Sequence, residues 1–290
     1  MLTSYIEKIN NELNLLLQQF DSFLDVVEIV HPPIRPENNH ITMIIQGKWE
    51  CKDKTKQTEL NKNYKTLFEK ITLLLNSALE TQKKEINIAH RKIVDVIELQ
   101  GTVCWLLKKD AIRAEFDKKI STYSNFIKIL SDEKKHELLV VPDTNALIIE
   151  RNPEKYEEFC GSKKFTFLLL PTVLSELDKL KNDKNNEFAA KVKSVINIIQ
   201  GYRNQGKITE GIIIHKTIIV RAVAIEPNFD YLPRCLDKTN SDDRIIASIL
   251  NIQIINPNSK VLFVSNDTNA LNKSEFYNID HYYIKNKSQT

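Results

Sequence analysis

Four carboxylates in the second half of the chain stand where a hard cation would need them. Asp143 follows the apolar run Leu138-Leu139-Val140-Val141. Glu176 lies early in a helical stretch opened by Pro171, in Pro171-Thr172-Val173-Leu174-Ser175-Glu176-Leu177. Asp243 follows Ser241-Asp242 at another helix start, and Asp267 follows the strand-like Val261-Leu262-Phe263-Val264. Open α/β sheets gather their sites beyond the carboxyl ends of strands. Acids delivered there by several elements are the donors that Mg²⁺ or Mn²⁺ prefers, and such an ion can turn water against a phosphodiester.

Each acid also has a plainer role. Asp143 and Asp267 suit Asx turns or helix caps. Glu176 suits an early helical turn, where the helix dipole favours negative charge. Asp242 is ordinary in a first turn, with Ser241 as a candidate N-cap. Asp243 differs, because it precedes Ile246, Ala247 and Leu250 at helical spacing and so shares their inward face. Taken together, packed like charges repel unless they are protonated or neutralised. Mg²⁺ neutralises them with one or two carboxylates plus waters and phosphate oxygens.

The elements that would carry these acids begin near Glu137. Short apolar runs at Leu138–Val141, Phe165–Leu170, Ile212–Ala224 and Val261–Val264 predict strands. Helices are predicted at 154–159, 172–181, 187–202, 242–250 and 268–271. This alternation predicts an α/β domain over residues 137–290 with a mostly parallel sheet. Residues 1–132 predict a mainly helical domain, with Ser131–His136 as the linker. Its helical patterns run over residues 1–30, ended by His31-Pro32-Pro33, then from a polar start at 53–65 through 67–79, and from 86 to 107 and on toward Leu130. Gly101 interrupts the last pattern. Residues 40–51 predict a short strand or irregular segment. Trp49 and Trp105 read as structural.

The acidic stretches resemble the PIN-domain family. The residues that carry the resemblance are Asp143-Thr144-Asn145-Ala146-Leu147, Pro171–Lys181 around Glu176, Ser241-Asp242-Asp243-Arg244-Ile245-Ile246-Ala247, and Val264-Ser265-Asn266-Asp267-Thr268-Asn269. The resemblance covers about residues 137–285 and leaves the first half untouched. It implies an α/β/α sandwich around a parallel sheet, with Mg²⁺ or Mn²⁺ at the acidic edge and endonucleolytic cleavage of single-stranded RNA. Carried over by position, Asp143, Glu176, Asp243 and Asp267 would bind metal, with Asp242 ranking behind Asp243. Asn145 and Ser265 would support the acids by hydrogen bonding. The extra sequence between Glu176 and Asp243 departs from the small toxin form and is similar to larger stand-alone PIN nucleases. A catalytically silent PIN-like module that binds RNA or protein is the alternative, and a flap-type DNA nuclease ranks below both.

For substrate contact, Lys179, Lys181, Lys184, Lys191, Lys193 and Arg244 are candidates for the phosphate backbone, against a solvated, ion-paired face. Tyr202, Phe229 and Tyr231 are candidates for base stacking, against simple packing. The N-terminal helices offer a surface for RNA, self-association or a protein partner.

Composition removes other classes. A net charge of +3 does not demand strong non-specific duplex binding. Six glycines and no Gly-rich phosphate loop argue against a nucleotide-binding P-loop or dinucleotide fold. The six histidines and four cysteines form no zinc pattern, and the cysteines, Cys51, Cys104, Cys160 and Cys235, read as reduced, mostly buried thiols. No run of about 18 apolar residues occurs, so no membrane span is expected. The start of the chain is unlike a signal sequence, and a cytoplasmic location is expected.

Overall fold

A computed structural model describes residues 2–30, 48–75, 78–101, 106, 108–132 and 136–285. The predicted helix stop at His31-Pro32-Pro33, residues 40–47 of the short segment, Cys104, Trp105 and residues 133–135 of the predicted linker lie outside these. The chain divides into two compact units, Ile6–Asp132 and Met1–Tyr5 with Glu133–Thr290.

The first unit holds helices α1 (Tyr5–Asp25), α2 (Lys54–Leu74), α3 (Glu80–Ile97) and α4 (Lys109–Asp132). Strands β1 (Val27–Val30) and β2 (Lys48–Cys51) pair antiparallel, so the helical reading of residues 1–30 stops at Asp25. Asp53 caps α2, accepting from the Thr55 and Lys56 amides at 3.0 and 3.2 Å. The long pattern from residue 86 toward Leu130 is two helices rather than one. Leu99 (φ 56°) and Gly101 (φ 60°) are left-handed, which no helix can carry through. A Cβ at Gly101 would lie 2.9 Å from Asp95 Oδ2, so glycine fits there for two reasons. Phe20 stacks on Phe116 at 3.7 Å, and the Tyr64 hydroxyl meets Tyr123 Oη at 2.8 Å and His90 Nδ1 at 2.7 Å. Burial pushes both phenols well above their usual range.

The second unit is a mixed α/β domain with the α/β/α arrangement. Its strands are β3 (Leu138–Pro142), β4 (Phe165–Leu169), β5 (Ile212–Ile214), β6 (Ile218–Ala222), β7 (Lys260–Ser265) and β8 (Asp280–Tyr283). They lie in the order β5-β6-β4-β3-β7-β8, parallel except for β5 against β6. The strand predicted over Ile212–Ala224 is therefore a hairpin, turned by the left-handed His215 and Lys216. β3 and β7 are buried nearly end to end, as expected for strands covered on both faces. β8, Asp-His-Tyr-Tyr, is a half-exposed edge strand without the apolar run that would announce it.

Between the strands lie α5 (Thr144–Ile149), a 3₁₀ turn (Pro153–Tyr156), α6 (Glu157–Cys160), α7 (Pro171–Leu180), α8 (Asn186–Arg203), a second 3₁₀ turn (Phe229–Tyr231), α9 (Ser241–Ile255) and α10 (Thr268–Phe276). The single helix predicted over residues 154–159 is thus a 3₁₀ turn followed by one α-turn. From β3 the chain moves to β4 and β6 on one side, then returns to β7 and β8 on the other. The point of reversal lies between β3 and β7, where a sheet of this kind opens a crevice at its carboxyl edge.

Candidate metal centre at the carboxyl edge of the sheet

Asp143 leaves the end of β3 directly into α5. It is the N-cap, with Oδ1 accepting from the Ala146 amide at 2.6 Å. Its own N–H donates to Val264 of β7 at 3.0 Å, tying the two strand ends together. The other oxygen, Oδ2, accepts from the Ser265 hydroxyl. Ser265 is fully buried, and its Oγ also accepts the Asp267 amide at 2.8 Å. One hydroxyl thus joins the two acids. Asp267 in turn caps α10, accepting from the amides of Asn269 (2.7 Å) and Ala270 (3.0 Å). The cap reading and the site reading of Asp143 and Asp267 are compatible, because capping engages only Oδ1 of each.

Burial, with the charges of Asp267 and Glu176 adding to it, raises the Asp143 carboxyl to about 6, against the hydrogen bonds from Ser265 and Ala146. Glu176 reaches this group from α7, where Pro171 occupies the first helical position and Val173 and Leu177 face the core. Its Oε2 accepts from the Thr144 hydroxyl. Asn145 is exposed, so this contact to an acid comes from its neighbour Thr144. Tyr156 is fully buried, its hydroxyl donates to the Glu150 carbonyl at 2.9 Å, and its phenol is pushed up chiefly by burial, with Asp143 and Glu150 contributing.

Asp243 stands in the first turn of α9. The N-cap is Asn240, not Ser241, and it accepts from the Asp243 amide at 3.1 Å. Asp243 is buried, as its inward-facing register predicts. Oδ2 accepts from the Asp237 amide at 3.0 Å, and Oδ1 pairs with Lys273 Nζ at 2.7 Å. Asp242 is half-buried, accepts from Asn269 Nδ2 at 3.1 Å and lies 3.8 Å from the same lysine. α10 therefore supplies contacts to both acids of α9 while being capped by Asp267.

Two sets of acids result. Asp143, Glu176 and Asp267 share an electrostatic neighbourhood, while Asp243 and Asp242 are held by Asn269 and Lys273. Among the described residues, no three His, Cys, Asp or Glu side chains are grouped closely enough to hold one ion by themselves. The donor set still suits a hard cation that takes one or two carboxylates and keeps its waters. The raised Asp143 carboxyl is what a buried acid facing like charges shows, and a cation relieves it.

The remaining candidates are placed more plainly. Lys181 pairs with Asp178 at 3.1 Å and Lys191 with Glu187 at 3.0 Å. Arg244 pairs with Glu226. Lys179, Lys184 and Lys193 are exposed, and Tyr202 and Phe229 are half-buried. The Tyr231 side chain lies outside the described part. Cys51 is buried and Cys160 half-buried, but Cys235 is exposed, its Sγ 2.9 Å from the Tyr277 hydroxyl, so burial does not extend to it. The sequence reading missed Thr144, Lys273 and the Asp237 amide. Thr144 adjoins an identified acid, whereas Lys273 has no local signal separating it from a surface lysine.

No described helix is long and apolar enough to cross a membrane. No curated protein matches the chain. Among solved structures, it is similar to a domain of a functionally unknown protein from Methanocaldococcus jannaschii DSM 2661. That likeness has 14% identity and a TM-score of 0.33, over 51% of this chain and 91% of the other. The sequence profile described as "PIN domain" matches residues 140–282, from inside β3 to the third residue of β8. With the parallel sheet and the acids at its reversal point, the second half of this chain is a PIN domain, of a family that generally comprises nucleases using divalent metal ions.

Proposed function

We propose that the chain is a metal-dependent endoribonuclease that hydrolyses phosphodiester bonds of single-stranded RNA. The observation that carries this reading is the Asp143–Ser265–Asp267 link at the β3–β7 reversal, with Glu176 beside it. Asp143, Glu176, Asp243 and Asp267 are the residues that would hold Mg²⁺ or Mn²⁺, with Asp242 behind them. When bound, the ion supplies a Lewis acid that lowers the pKa of a water and stabilises the leaving oxygen.

The protein's own part is to hold the carboxylates. Ser265 fixes the Asp143 carboxylate and the Asp267 backbone, the Asn269 and Ala270 amides hold the Asp267 carboxylate, Thr144 fixes Glu176, and the Asp237 amide fixes Asp243. Exposed Lys179, Lys184 and Lys193 are proposed to meet the phosphate backbone, where a lysine serves as a point charge. Arg244 and Lys181 would first have to leave their acidic partners.

A silent module that binds RNA or protein is the second reading, favoured by the Asp243–Lys273 ion pair. Both readings are tested with a mixed single-stranded RNA, the purified full chain, and Mg²⁺, Mn²⁺ or a chelator. The nuclease reading requires cleavage in metal, none in chelator, and a loss of about 100-fold or more in Asp143→Asn, on the scale of removing a key electrostatic group. Binding of RNA without cleavage, unchanged in that variant, establishes the module instead.

A further inference from the structure

Lys273 is the one cation that touches the acids of this edge among the described residues. Its Nζ lies 2.7 Å from Asp243 Oδ1 and 3.8 Å from Asp242 Oδ2. Its side chain is only 25% exposed and that of Asp243 only 12%, so the pair is largely withdrawn from water. A buried carboxylate needs partners for both oxygens. Asp243 has them from its own chain, through the Asp237 amide on Oδ2 and Lys273 on Oδ1.

The helix that carries the lysine is itself tied to this edge. Asp267 fixes the start of α10 by accepting the Asn269 and Ala270 amides. Asn269, in the first turn, donates to Asp242, and Lys273 projects from one turn further along. α10 is thereby a brace between the acid that caps it and the two acids of α9. Cutting the brace at Lys273 would remove one positive charge and one restraint on Asp243 together.

Resting on the nuclease reading above, we infer that Lys273 is a positioning residue that competes with the divalent ion for Asp243. It holds the carboxylate in place through the contact to Oδ1, and the ion gains Asp243 only by displacing it. The two roles have opposite signs, which separates them from a merely structural contact. Removing the lysine frees Oδ1 and makes the edge more negative, so the ion binds more tightly. It also leaves Asp243 less well placed, so turnover falls.

The test compares wild type with Lys273→Met, which keeps the apolar stem, and Lys273→Arg, which restores the charge. Three readouts are taken: Mn²⁺ affinity by calorimetry, kcat and KM on single-stranded RNA, and amide exchange at Asp237 without metal. For Lys273→Met the expected results are Mn²⁺ binding tighter by about tenfold, as one charge near a half-exposed ion site would give. A fall in kcat with KM unchanged and faster Asp237 exchange complete the pattern, and Lys273→Arg returns all three toward wild type. Weaker Mn²⁺ binding in Lys273→Met, with the fold intact by circular dichroism, overturns the competition while leaving the nuclease reading standing. Absence of Mn²⁺ binding in every protein overturns the nuclease reading and the competition with it.

Discussion

Asp143→Asn isolates the electrostatic cost of the site. In the folded protein the Asp143 carboxyl sits at about 6, raised first by burial and then by Asp267 and Glu176. In the unfolded chain an aspartate titrates near 3.9. Between these values the native state keeps a proton that the unfolded state has released, so stability falls as pH rises. The slope is about 1.4 kcal/mol per pH unit, and the whole window amounts to about 3 kcal/mol, fully present below the unfolded value and lost as pH passes the folded one. About 1.4 kcal/mol of that loss falls between pH 5 and pH 8. Asparagine keeps an oxygen for the Ala146 amide but carries no charge, so the variant lacks this slope. In chelator, the stability of the variant relative to wild type should therefore rise by about 1.4 kcal/mol from pH 5 to pH 8.

Tryptophan fluorescence cannot report it, because both tryptophans, Trp49 and Trp105, lie outside Glu133–Thr290. Amide exchange of peptides covering β3 and β7, corrected for intrinsic rates, reports the right unit. Adding Mn²⁺ should narrow the gap, since the ion stabilises the ionised form that only wild type has. Parallel pH profiles for the two proteins would refute the raised carboxyl and the crowding of acids behind it.

Three further outcomes follow from single contacts. Ser265→Ala removes the donor to Asp143 and the acceptor for the Asp267 amide; it should cost about 2 kcal/mol in exchange of the 260–265 strand and weaken Mn²⁺ binding, and no change would deny the serine its linking role. Asn240→Ala deletes the cap of α9 and should cost about 1 kcal/mol, with exchange rising at Asp243 and Arg244 more than at Ile252. Tyr64→Phe leaves the Tyr123 hydroxyl and His90 short of a partner, and should cost about 1–3 kcal/mol in a urea melt followed by tryptophan fluorescence, with no change in exchange at β7.

The parts of the fold legible in the sequence are those where periodicity and burial agree. Leu138–Val141 and Val261–Val264 are buried on both faces, so their apolar runs announce β3 and β7 without help from pairing. β8 pairs only through backbone to β7 and exposes its tyrosines, leaving no side-chain pattern to read. The hairpin of β5 and β6 looked continuous because His215-Lys216 is an unusual pair to hold left-handed φ. Gly101 did mark a break, but Leu99 starts it and carries no such signal.

The candidate acids were legible because each sits at a strand end or early in a helix, positions that local sequence sets. How they are held was not legible. Ser265 reaching Asp143, Thr144 reaching Glu176 and Lys273 reaching Asp243 join residues from different elements, set by the strand order of the sheet. The Asn145 support expected from resemblance is exposed, one residue from the threonine that makes the contact.

Titration of the full chain with Mn²⁺, followed by the loss of the free ion's paramagnetic resonance, tests the acidic edge directly. Wild type should bind the ion, and Asp143→Asn should weaken binding at least about tenfold, the loss of one buried carboxylate from a hard-cation site. Equal binding by the two proteins, or none by wild type, would contradict a metal site there.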